Sequence, residues 1–270
     1  MMHVRTATRD DLGQVLAWAA QEGWNPGLDD TAAFHVADPQ GFFVGVADDR
    51  LVAAISIVNH TADFAFLGLY LVHPLYRGRG FGYALWREAI QHAGARTVGL
   101  DGVEAQQANY MRSGFTYAGG TTRYTGLVTA GEVQGIRAVR KEEIPDLIRR
   151  EADASGVLKP AYLSAWFTDT PHRRTLVHPA GFCTVRKCRE GAKIGPLLAE
   201  HPEAASQLIH GAAAVFDGSV TLDVPETAES LTRLCNDLAL VPGFKTARMY
   251  RGTAPSGTGG LYAVASLELG

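Results

Sequence analysis

Hydrophobic positions in this chain follow two periods, and the places where one gives way to the other mark its elements. Phe42 to Val46, Leu51 to Val58 and Phe64 to Val72 are apolar runs of strand length. The first two flank a turn at Asp48-Asp49, so a hairpin is predicted with the third run in the same sheet. Leu12, Val15, Leu16 and Ala19 recur at helical spacing behind Thr8-Arg9-Asp10-Asp11, a helix start with acidic residues in its first turn. Further helices are predicted over Leu28 to Ala37, Gly82 to Ala93 and Gln106 to Arg112, the last ended by Gly114-Phe115 as a glycine C-cap. Short strands at Val4 to Ala7, Thr97 to Asp101 and Arg123 to Val128 complete the series. Between the first two helices, Gln21 to Gly27 is rich in turn formers. Glu22, Trp24 and Asn25 therefore sit on a loop, where side chains serve binding more often than core.

The same order of elements then recurs. Val4-Arg5-Thr6-Ala7 with Asp10, Asp11 and Leu12 matches Ile136-Arg137-Ala138-Val139 with Glu142, Glu143 and Ile144. Gly41-Phe42-Phe43-Val44 matches Gly181-Phe182-Cys183-Thr184, and Val98-Gly99-Leu100-Asp101 matches Val220-Thr221-Leu222-Asp223. Gly114-Phe115 matches Gly243-Phe244, and Tyr124-Thr125-Gly126 matches Tyr250-Arg251-Gly252. Matches in a single order read as two copies of one mixed α/β fold, residues 1–130 and 135–270, joined near Ala130 to Gln134.

One stretch of the first copy carries chemistry. After the strand ending at Val72 come His73-Pro74 and then Arg77, Gly78, Arg79, Gly80, Phe81 and Gly82, opening a helix. Three glycines let the backbone turn tightly, so the amides of the loop and the first helical turn can point at one anion, with two arginines adding fixed positive charge. The dinucleotide fingerprint fails on register, because the sixth position from Gly78 is Tyr83, and a Walker loop fails for want of its lysine. The second copy has Ala192-Lys193-Ile194-Gly195-Pro196-Leu197-Leu198 followed by Ala199-Glu200-His201-Pro202 at this place. That stretch lacks Arg-x-x-Gly-x-Gly, and Glu200 would repel a phosphate.

Composition narrows the partners. The 270 residues carry a formal net charge of -3, with no basic run, which argues against nucleic acid. No run of eighteen apolar residues and no signal-type apolar core at the start predict a cytoplasmic protein without a membrane span. Cys183, Cys188 and Cys235 lack paired metal spacing, so neither a disulfide framework nor a metal site is predicted.

Arg77-x-x-Gly80-x-Gly82 behind a strand ending in Val72-x-Pro74 resembles the acyl-coenzyme A loop of the GNAT superfamily of N-acyltransferases. Tyr110-Met111-Arg112-Ser113-Gly114-Phe115 resembles its Tyr-x-x-x-Gly-Phe segment, and Ile194 to Leu197 resembles the Ile-Gly-Pro-Leu segment of tandem GNAT proteins with a degenerate second domain. The resemblance implies two domains, each a mostly antiparallel central sheet flanked by helices, with the first binding acetyl-CoA. It implies that pantetheine lies along Leu71, Val72 and His73, and that pyrophosphate sits on the amides from Arg77 to Gly82. It makes Tyr110 the general acid toward the departing thiolate.

The family's strand glutamate has no counterpart, because Phe66, Gly68 and Tyr70 occupy that run. Asp101 and Glu22 are the alternative bases, the former shadowed by its counterpart Asp223 in the copy without a loop. The family's asparagine is replaced by Val103, leaving Gln106 or Gln107 for coenzyme contact. Trp24, Asn25 and Phe34 are the candidates for the acceptor side. The expected activity is direct acetyl transfer to a primary amine of a small molecule in a ternary complex. A non-catalytic coenzyme-binding module and a different acyl donor are the alternatives. The second copy is expected to cover the first sheet, to wall the acceptor pocket or to mediate a homodimer.

Overall fold

The computed structural model describes residues 2–131, 133–216 and 218–270, so Glu132 of the predicted junction lies outside the described residues. The first half runs β1 (His3–Thr6), α1 (Arg9–Gln21), α2 (Asp30–Ala37), β2 (Phe42–Ala47), β3 (Arg50–Asn59), β4 (Phe64–Val72), α3 (Phe81–Ala89), β5 (Thr97–Val103), α4 (Glu104–Arg112) and β6 (Thr116–Leu127). The second half runs β7 (Arg137–Ala138), α5 (Ile144–Ser155), α6 (Pro160–Trp166), β8 (Arg173–His178), β9 (Gly181–Lys187), β10 (Ala192–Ala199), α7 (Pro202–Ala213), β11 (Ser219–Pro225), α8 (Glu229–Asp237), β12 (Val241–Arg251) and β13 (Leu261–Ala263).

Local chemistry sets most boundaries. Thr8 caps α1 through a capping box with Asp11, which satisfies two otherwise orphaned amides. The helix predicted from Leu28 begins instead at Asp30, because the Leu28 amide is spent on the Lys187 carbonyl of the other half. The helix predicted to Ala93 leaves α geometry after Ala89 and finishes as a 3-10 turn over Ile90–Ala93. The strand predicted at Arg123 starts earlier, at Thr116, because its first residues pair with β12 before β11 joins the other side at Thr121.

The strands form one mostly antiparallel sheet in the order β1-β2-β3-β4-β5-β12-β6-β11-β10-β9-β8-β7, with β13 on β10. The order shows that the halves have exchanged their last long strands. β12 of the second half lies beside β5, β6 of the first lies beside β11, and the two pair with each other at the centre. Each exchanged strand brings an arginine opposite the aspartate near the end of its host's fifth strand. Arg248 faces Asp101 and Arg123 faces Asp223 in the strand register, and both pairs are bidentate. The sheet thus runs unbroken across the junction.

A shared apolar core seals the two halves on one side of the sheet. Phe34 of α2 stacks on Trp166 of α6 at 5.8 Å between ring centroids, and both are buried. Buried Asp30 takes Arg173 and Arg186 of the second half, whose guanidinium groups lie over the Trp166 ring. Residues 261–270 form a further link. β13 pairs with β10, the Val264 amide donates to the Asp223 carbonyl, and the Leu269 carbonyl bonds His60 of the first half.

Candidate active site

The glycine loop folds as its composition requires. Gly78 and Gly80 have φ of 76° and 77°, a region L side chains rarely adopt, and a Cβ on either would meet nothing within 4 Å. The loop is therefore tight in its backbone and open in front. Gly80 is the N-cap of α3 and supplies no side-chain cap, so the first-turn amides from Phe81 onward carry no capping side chain. Such an end is built to receive an anion. Gly82 must also be small, since its Cβ would lie 2.9 Å from Val72 Cγ2 and 3.0 Å from the Tyr70 hydroxyl.

The arginines act differently from one another. Arg79 is exposed, with its guanidinium 5.2 Å from the Tyr76 ring centroid. Arg77 turns back, donating from Nε to the Val72 carbonyl at 3.0 Å and pairing with Glu22. Glu22 is thus the loop's counter-ion and does not line the cleft described next. The His73 amide donates to the Val52 carbonyl, and its ring meets Trp18 edge-on at 5.4 Å. Leu71 and Val72 pair with Ala54 and Ala53 of β3.

A cleft opens where β4 and β5 part. They pair in parallel only from Phe64–Thr97 to Leu67–Leu100. Beyond that point Leu69 adopts φ 47° at a bulge, and the rest of β4 has no partner strand on its β5 side among the described residues. Trp24, Tyr70, Asp101, Gln106 and Tyr110 line the cleft from the first half, and Phe244, Thr246 and Glu268 line it from the second. Tyr110 and Gln106 also line the adjoining groove with Tyr83 and Trp86 of α3, so the cleft and the glycine loop's helix share one surface.

Tyr110 is held by packing. Its ring lies 5.8 Å from Trp86 and 6.2 Å from Phe115, and Gly102 of β5 leaves room that a Cβ, 2.9 Å from Tyr110 Cδ2, would remove. Burial, with Tyr70 adding to it, pushes the phenol well above its ordinary range, so it keeps its proton.

Asp101 reaches the cleft as well, but both its oxygens accept from Arg248, at 2.8 and 2.7 Å. Burial raises its carboxyl and those bonds only partly offset it. Asp223 is held by Arg123 in the same way. The two carboxylates anchor the exchanged strands, and each Asp101 oxygen already accepts one hydrogen bond from Arg248.

Of the three acceptor-side candidates, only Trp24 reaches the cleft. Its carbonyl takes Lys193 Nζ at 2.7 Å and Arg123 at 3.3 Å, so the second half holds this loop in place. Asn25 is turned away and bonds the backbone of Glu190 through both ends of its amide. Phe34 is corrected to the core between the halves, where Trp166 covers it.

Sequence reasoning allowed the second half to wall the pocket but named none of the residues that do so, above all Glu268. One signal was available, because an isolated glycine inside a strand often marks the close approach of another backbone. A Cβ on Gly68 would strike the Glu268 carbonyl oxygen.

The second copy has the same frame without the opening. β10 and β11 pair only from Ala192–Val220 to Ile194–Leu222, yet β13 pairs with β10 from Leu197 to Ala199 where they part. At α7 the His201 side chain accepts from the Ala204 amide, and Pro202 in the first turn removes another donor. That helix end is capped from within, unlike α3. Among the described residues, no group of three or more His, Cys, Asp or Glu is placed to hold a metal, and no helix is long and apolar enough to cross a membrane.

The chain is similar to known proteins. Residues 9–115 match the acetyltransferase (GNAT) family and residues 150–263 match an acetyltransferase (GNAT) domain. Holothin acyltransferase of Pseudoalteromonas sp. (strain SANK 73390) is 32% identical, over 98% of this chain and 94% of that protein. The fold is shared with a solved Pyrococcus horikoshii protein at TM-score 0.85 and 21% identity, over 100% of this chain and 96% of that one. It is shared also with a tandem GNAT protein from the clavulanic acid biosynthesis pathway, at TM-score 0.62 and 18% identity, over 95% and 100% of the two chains. With two such domains in series and a cradle opened only in the first, the chain belongs to the GNAT family of acyltransferases, in its tandem form with a degenerate second domain.

Proposed function

We propose that this protein transfers an acetyl group from acetyl-CoA to the primary amine of a small molecule, by direct attack in a ternary complex. The observation that carries the reading is the uncapped N-terminus of α3, with Gly78 and Gly80 open in front of it, sharing a surface with the cleft of Tyr110. In this reading the amides from Gly78 to Gly82 hold the pyrophosphate and Arg79 adds positive charge. The unpaired edge of β4 beyond Gly68 receives the pantetheine arm, with the Val72 carbonyl already engaged by Arg77. The thioester supplies the activated acyl group. Tyr110, protonated because it is buried, gives its proton to the departing sulfur.

The acceptor enters between the halves. Trp24, Tyr70, Phe244 and Leu267 make that space largely apolar, which suits an amine on a compact apolar or aromatic body. A relative whose printed activity is acylation of holothin supports a small-molecule acceptor. Two measurements test the reading. Acetyl-CoA at 100 times its dissociation constant should add about 2.7 kcal/mol of stability in a thermal melt. Thiol release should then depend on added amine. A melt unmoved by acetyl-CoA would sink the proposal.

A further inference from the structure

Transfer to an amine needs a group that takes a proton from nitrogen, and the cleft holds two carboxylates. Asp101 is spent on Arg248. Glu268 is not. It is 4% exposed, it lines the cleft with Tyr110, and its Oε2 atom is buried without a hydrogen-bond partner. A buried unpaired carboxylate oxygen is costly unless something meets it, so a site that carries one implies a cationic or hydrogen-bonding ligand.

The surroundings sharpen this. Of the charged groups near Glu268, Arg123 is bidentate to Asp223, Arg186 is bound to Asp30, and Lys193 donates to the Trp24 carbonyl. Asp101 is a like charge, and Tyr162 and Tyr110 are neutral phenols. The backbone at Glu268 crosses β4 at Gly68, where any side chain would block it. That strand offers no carboxylate of its own. The carboxylate is brought to it by the 261–270 segment.

We infer that Glu268 is the group that receives the acceptor's ammonium and deprotonates it, so that the second half supplies the base for chemistry housed in the first. The assignment rests on the acyl-transfer reading above. Glu268 takes one proton from the ammonium, which frees the nitrogen lone pair, and later passes it to water. The nitrogen attacks the thioester carbonyl carbon, so that a C–N bond forms and the C–S bond breaks with its electron pair on sulfur. Tyr110 protonates the sulfur, and the second proton lost by nitrogen returns through water to the phenolate. Amide, free thiol and one proton are the products.

The test is thiol release from acetyl-CoA with benzylamine, an ammonium at neutral pH, and aniline, which is neutral there. Glu268→Gln should keep the melting temperature and its rise with acetyl-CoA. It should lower turnover of benzylamine by about 10²- to 10⁴-fold, and of aniline by less, with loss of the acidic limb of kcat. Glu268→Asp should retain that limb with a smaller loss, and it decides the matter if the glutamine variant does not fold. Glu268→Gln turnover of both amines within about threefold of wild type, with the acidic limb intact, would overturn the assignment and leave the acyl-transfer reading standing. A wild type that is stabilised by acetyl-CoA but transfers to no amine would instead overturn both.

Discussion

A phenol serves as an acid only while it holds its proton, and Tyr110 holds its proton because Trp86, Phe115 and the bare face of Gly102 leave it little water. Tyr110→Phe should therefore lower kcat by about 10²-fold or more while leaving acetyl-CoA binding in place, as stopped assays and a thermal melt would show. The same burial makes a stability prediction. Tyr110, Tyr162 and Tyr262 are all raised, first by burial, so their contribution is fully present below the unfolded phenol value of about 10 and is lost as pH rises toward the folded values. Urea midpoints should hold steady near pH 8 and fall above about pH 10, and Tyr162→Phe should flatten that fall. Arg248 gives a sharper case. Arg248→Met strands the buried carboxylate of Asp101 and should cost about 3–5 kcal/mol in urea unfolding.

At the scale of elements, the two copies differ in how a helix begins. α3 opens behind a left-handed glycine with nothing capping it, whereas α7 opens behind His201 and Pro202, which satisfy or remove its first donors. Gly80→Ala adds no clash, so its cost is the backbone's alone, about 1–2 kcal/mol, together with weaker stabilisation by acetyl-CoA in the same melt. This contrast was legible in sequence, because a loop's glycines and a helix's first residues are neighbours along the chain. Tyr110 at the end of α4 was legible for the same reason. Glu268 was not, since nothing local in residues 261–270 announces where that segment lies. Asn25 and Phe34 misled because loop position and aromatic character do not reveal direction. One bonds Glu190 and the other packs under Trp166.

For the whole molecule, the repeat could be read but the exchange could not. Tyr124-Thr125-Gly126 and Tyr250-Arg251-Gly252 are so alike that either strand satisfies the pattern of either sheet, and only the register of Arg123 on Asp223 and Arg248 on Asp101 tells which is where. Calorimetry of the full chain should accordingly show one cooperative transition. Residues 1–130 alone, lacking β12 beside β5, should fail to give a folded protein by near-ultraviolet circular dichroism, and so should residues 135–270, which lack β6.

The exchange also bears on descent. A duplicated gene ordinarily frees one copy to decay and then to be deleted. Here the silent copy owns a strand in the middle of the working one's sheet, so its loop could be erased by drift while its loss as a unit would disable both. Redundancy has become mutual dependence, and natural selection acting on the first active site preserves the architecture of the second.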